Sequence, residues 1–122
     1  MTKAAALHQF FSSFGLPAYE ENTVPDDAEY PYLTYAVVTD GWGDTQCASH
    51  CSLWYRTDSW VEVNAKTEEI QRRLGMGGVV VNCDGGALWV LAGSPFAQSM
   101  TDPDDSSVKR KYINVVFEYW TA

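Results

Sequence analysis

The stretch "VKRKYINVVFEYW", residues 108–120, alternates with a period of two. Ile113, Val115, Phe117 and Tyr119 fall on one face, and Tyr112, Val116 and Trp120 on the other. The first set is a natural core; the second is also apolar, so this strand needs a cover on both sides. At this length it exceeds the usual five or six residues, and it is expected to pair or pack beyond its own domain.

Working outward, "CSLWYR" reads as a second strand within residues 46–57, with Cys51, Leu53 and Tyr55 inward and Trp54 outward. Residues 32–40 are rich in Tyr, Val and Thr and read as a strand, joined to the next by a turn over residues 41–44. "GVVVNCDGGALWVLA" alternates around Asp84, Gly85 and Gly86, which suit a tight hairpin between strands 78–83 and 87–92.

Two helices complete the pattern. Leu7, Phe10, Phe11 and Phe14 stand at i, i+3, i+4 and i+7, which predicts a helix over residues 3–14 ended by Gly15 and Pro17. Ser59 and Glu62 have the spacing of a capping box. A helix over residues 60–74 follows, with Trp60, Val63, Thr67, Ile70 and Leu74 inward and Gly75 at its end.

Residues 18–31 and 93–107 carry prolines and carboxylates and read as loops, the second long, acidic and mobile. The expected fold is α+β in the order α-β-β-α-β-β-β: a mostly antiparallel five-stranded sheet with two helices on one face. Residues 1–122 form a single domain, large enough to bury a core without metal or disulfide staples.

Sixteen acidic against eight basic residues give a net charge of −8. That balance repels phosphate backbones and anionic membrane surfaces, so sequence-specific nucleic acid and membrane are both poor partners. The one basic run, Lys109, Arg110 and Lys111, points to alternate faces of its strand and reads as solvated charge. The first residues lack the long apolar run of a signal peptide. Three cysteines do not form a disulfide framework, and a soluble protein of a reducing compartment is expected.

"CASHC", residues 47–51, is the most metal-like stretch. On a strand, Cys47 and Cys51 lie roughly 13 Å apart, too far to share a zinc ion, and His50 faces away from both. The thiols read as small buried groups. Cys83 has no nearby base to lower its pKa, so a Cys–His nucleophile has no local support. Neither Asp26, Asp27 and Glu29 nor Asp102, Asp104 and Asp105 have the spacing of a calcium loop. No cofactor, metal or catalytic residue is expected.

The aromatics are more informative. Five Trp, seven Tyr and five Phe exceed what the helix-facing side of the sheet can bury. Trp54, Tyr112, Val116 and Trp120 are therefore candidates for a protein contact, with self-association the sharpest form of the idea.

The layout as a whole resembles the tail terminator or tail-completion proteins of long-tailed bacteriophages. The resembling pieces are the first helix closing on "FGLPAY", then "VPDDAEYPYLTYAVVT", "LWYRTDS", "CDGGALWV", "GSPFAQSMTD" and the terminal "KRKYINVVFEYWT". The resemblance implies a non-enzymatic structural protein forming a homo-oligomeric ring, commonly a hexamer, at the head-proximal end of the tail tube. It implies a location in the virion tail, with the host cytoplasm as the site of assembly.

Such a ring stops tube growth and offers a surface to the head connector. Tube and connector proteins are then partners, and Lys109, Arg110, Lys111, Asp102, Asp104 and Asp105 become candidates for charge pairing between subunits. A neck or connector protein of similar layout is one alternative. A small-molecule-binding domain with a pocket lined by Tyr30, Tyr32, Tyr35 and Trp42 is another, and an enzyme comes third.

Overall fold

A computed structural model describes residues 1–41 and 46–121. Its elements are α1 (Lys3–Ser12), β1 (Ala18–Glu20), β2 (Tyr32–Tyr35), β3 (Cys47–Arg56), α2 (Val61–Leu74), β4 (Val79–Cys83), β5 (Gly86–Thr101) and β6 (Val108–Trp120). Among the described residues the strands form one mixed sheet of six, in the order β1-β2-β3-β6-β5-β4. The fold is α+β as expected. Five antiparallel strands become six, however, because β1 is added parallel to β2. The turn expected over residues 41–44 falls, except for Gly41, outside the described residues, as does Trp42.

β1 was hidden inside the loop expected over residues 18–31. Three residues are too few to show a period, and the flanking prolines read as loop. The Leu33 amide donates to the Pro17 carbonyl (2.8 Å) and the Glu21 amide to the Tyr35 carbonyl (2.9 Å), which fixes the parallel register. β2 stops at Tyr35, short of the residue 40 expected, although the Ala36 amide still donates to the His50 carbonyl (3.0 Å).

The larger correction concerns residues 93–107. β5 runs on to Thr101, so only residues 102–107 form a turn. Prolines belong in strands only at edges and bulges, and Pro95 sits in such a bulge. The β5–β6 register passes from Ala92↔Val115 to Ala97↔Ile113, which extrudes the residues between. Asn114 Nδ2 donates to the Pro95 carbonyl (2.8 Å). A Cβ on Gly93 would lie 2.8 Å from the Asn114 Cβ and 2.9 Å from its backbone, so only glycine permits this approach. The expected mobile loop is instead a strand tied to its neighbour.

Both helices cover one sheet face. Leu7, Phe10 and Phe11 of α1 and Val63, Ile70 and Leu74 of α2 are buried, against Leu33, Leu53, Leu88, Ile113, Val115 and Phe117 of the sheet. Thr2 caps α1 by accepting from the Ala5 amide (3.1 Å). The helix ends at Ser12, two residues before the stripe suggested, and Gly15 (φ 84°) takes the turn that follows.

The expected capping box at α2 forms only in part. Ser59 Oγ accepts from the Val61 amide (3.1 Å), but the Ser59 amide donates to Thr57 Oγ1 (3.3 Å), which takes the place intended for Glu62. Inside the core, the Phe11 ring stacks on Tyr35 at 4.9 Å and 15°.

Phe11→Ala removes a fully buried ring that joins α1 to β2. It is expected to destabilise the fold by about 3–5 kcal/mol in denaturant titration, the usual range for emptying a buried aromatic site.

Candidate functional site: the uncovered sheet face

The face opposite the helices has no covering layer among the described residues. Its chemistry follows from cross-strand register. Tyr32 pairs with Trp54, Trp54 with Arg110, and Arg110 with Met100, so one row crosses β2, β3, β6 and β5. Directly opposed side chains on one face of a sheet stand close enough to touch, and Tyr32, Trp54 and Arg110 do so.

Tyr32 stacks on Trp54 at 6.2 Å and 19°. The Arg110 guanidinium lies over the Trp54 ring at 4.6 Å and over Tyr112 at 5.4 Å. Tyr112 in turn stacks on His50 at 5.1 Å. Tyr19 and Tyr30 extend the row beyond Tyr32, at 5.9 and 5.3 Å.

Polar anchors hold these rings. Trp54 Nε1 donates to Thr34 Oγ1 (2.8 Å), Arg110 Nε donates to Ser52 Oγ (3.1 Å), and His50 Nε2 lies 2.7 Å from Glu21 Oε2. Beside the row, a cavity of about 260 Å³ opens between Trp54, Met100, Asp102, Pro103, Val108 and Arg110. Further along β6, Val116 opposes Leu91, and Trp120 packs on Trp89 at 5.6 Å. The Trp120 indole donates to Glu118 Oε2 (2.7 Å) and that of Trp89 to the Gly77 carbonyl (2.7 Å).

Trp54, Tyr112, Val116 and Trp120 thus share the outer face, as alternation implied, and all are half-buried. The basic triplet divides. Arg110 belongs to this face, whereas Lys109 and Lys111 point to the other side and are only 8% exposed, not solvated as expected. Trp60 covers both, with their ammonium groups 6.0 and 5.2 Å from its ring centroid. Lys109 Nζ donates to the Ser106 carbonyl and Lys111 Nζ to Ser99 Oγ (2.6 Å). Burial pulls the Lys111 amine below its ordinary pKa.

The turn carboxylates are also partly committed. Asp102 accepts from the Asp104 amide (2.8 Å), while Asp104 is exposed. Asp105 accepts from the Ser107 hydroxyl (2.6 Å) and amide (3.0 Å) and pairs with Arg56 at 2.9 Å. Those two bonds from Ser107, followed by the Arg56 guanidinium, hold the Asp105 carboxyl below the usual carboxylate range.

Alternation already turns His50 away from the inward Cys51, but Trp89, Leu91 and Met100 were missed as members of this surface, because which residues oppose each other depends on register. Of the pocket expected from Tyr30, Tyr32, Tyr35 and Trp42, Trp42 lies outside the described residues, and the three tyrosines divide between the two sides of the sheet. Tyr35 lies on the helix side, 4% exposed, with its hydroxyl 3.2 Å from His8 Nδ1, while Tyr30 and Tyr32 join the outer row.

Of the thiols expected to be buried, one is fully so, and Cys83 is half-buried. Cys51 is fully buried and Cys47 half-buried, its Sγ 3.5 Å from the Phe117 carbonyl oxygen. Among the described residues no three side chains of His, Cys, Asp or Glu converge as metal ligands, and no helix is long and apolar enough to cross a membrane. No family model, curated protein or solved structure matches the chain.

Burial pushes the Cys51 thiol up to about 12. Titration of the native protein with a thiol-specific disulfide reagent at pH 8 should therefore modify Cys47 and Cys83 and leave Cys51 unreacted until denaturant is added. Asp105→Asn should lower the melting temperature at neutral pH. A carboxylate with a depressed folded pKa stabilises above its unfolded value and loses that contribution as pH falls through the folded one. The gap between variant and parent should close on acidification below the usual carboxylate range.

Proposed function

We propose that this protein is a structural assembly subunit of the tail-terminator kind. It forms a homo-oligomeric ring, with a hexamer the expected number, at the head-proximal end of a phage tail tube, where it ends tube growth and presents a joining surface to the head connector. The observation that carries this reading is the uncovered sheet face. Its Trp, Tyr and Arg side chains are the types most enriched at the energetic centres of protein contacts.

The division of the molecule supports the same reading. Two helices satisfy one side of the sheet, and the aromatic row lies on the side they leave open. A ring also needs two different surfaces on each subunit, because a head-to-tail contact closes only when unlike patches meet. The aromatic row with Arg110 on the sheet face and the acidic loop between β1 and β2 are unlike features on one chain.

Negative-stain microscopy with mass measurement by light scattering tests the proposal. Closed rings with a central pore are expected. Particles that remain monomeric across the accessible concentration range would count against it.

A further inference from the structure

Arg110 is the cation set into the aromatic row of the uncovered sheet face. Among the described residues no carboxylate lies within ion-pair distance of it, although acids outnumber bases by sixteen to eight. Its Nε is fixed by Ser52, and its plane is held over Trp54 and Tyr112. The two terminal nitrogens have no hydrogen-bond partner among the described residues, and the guanidinium borders the 260 Å³ cavity. A planar fork immobilised on aromatic faces has already lost much of its conformational freedom. It is suited to receive a carboxylate through two parallel hydrogen bonds.

The same chain carries unpaired acids elsewhere. Asp26, Asp27 and Glu29 lie on the connection between β1 and β2, are exposed, and have no ion-pair partner among the described residues. Arg110 sits on β6, separated from β2 by β3. Within one chain the two groups do not pair.

The acids of the β5–β6 turn are poorer candidates. Asp105 is spent on Arg56, Asp102 already lines the cavity beside Arg110, and Asp104, though exposed, is carried on the same turn as Asp102. A neighbouring copy docking through its own turn would bring two Asp102 carboxylates together.

We infer that the Arg110–Trp54–Tyr112 clamp receives the carboxylates of the Asp26–Glu29 loop from a second copy of this chain, in a head-to-tail contact. This rests on the ring reading above and names the two surfaces that meet. The contact would place a charged pair over aromatic rings, where water is displaced and the pairing is worth more than at an open surface. The net charge of −8 makes the arrangement selective: most other surfaces of a second copy repel one another.

Sedimentation velocity on four chains tests the contact. Arg110→Glu and the triple variant Asp26→Lys, Asp27→Lys, Glu29→Lys should each weaken association about thirtyfold or more, the low end for breaking a desolvated charge pair. Arg110→Gln, which keeps most of the stem packing and a donor near Ser52, should weaken it in the same direction, with an unchanged far-ultraviolet spectrum showing that the fold survives. Joining Arg110→Glu with the triple reversal in one chain should restore association. Unaltered association of the folded Arg110 variants overturns the assignment of the clamp while leaving the ring reading in place, and so does failure of the combined chain to recover. A parent chain that never associates overturns both.

Discussion

Alternation along β6 is the constraint on which the rest of the molecule depends. β6 pairs with β3 on one side and β5 on the other for most of its length, so its side chains set what each face must be. Ile113, Val115, Phe117 and Tyr119 commit one face to a helical cover, and α1 and α2 supply it. Tyr112, Val116 and Trp120 commit the other to aromatic contacts that the chain begins and does not finish. A slip of one residue would exchange the two sets and bury Arg110, Asn114 and Glu118 beneath the helices. The register is therefore protected by a large penalty.

How much of this could be read without coordinates depended on the distance over which each signal acts. The helices, the Asp84–Gly85 turn and the faces of β3 and β6 follow from local periodicity, and they were legible. β1 was not, because three residues carry no period and parallel pairing to β2 depends on backbone bonds to residues far along the chain. The distal half of β5 was hidden by Pro95, whose ordinary meaning is a break in the strand and whose meaning here is a bulge. Lys109 and Lys111 looked solvated because nothing local shows that Trp60, some fifty residues earlier, covers them. The outer aromatics were recognisable one by one, but the row from Tyr32 to Met100 exists only through register.

The electrostatics show a related economy. Most cations of this acidic chain are occupied internally: Arg56 closes the β5–β6 turn through Asp105, Lys66 serves the Phe14 carbonyl and Glu69, and Arg72 neighbours Glu68. Arg73 leans on the Phe10 and Phe14 rings at the junction of the two helices. Arg110, like Arg73, Lys109 and Lys111, is held by neutral groups, but it alone of these four lies in the aromatic row of the uncovered face. Its orientation is settled while its charge is left without a counterpart, and an interaction surface differs from a structural salt bridge in just this way.

The bulge at Gly93–Phe96 has a consequence for how such a hairpin can change over time. Because Gly93 lies against Asn114 and Asn114 holds the Pro95 carbonyl, the two strands are pinned at a point between their ends, and sliding is blocked in both directions. The segment from the pin to the turn at residues 102–107 behaves as an arm of set reach. Lengthening that arm without turning its side chains inside out requires two residues added to each strand at once. Its reach can then grow only in discrete steps of about 7 Å, which makes the span from sheet to tip a quantised property of the chain.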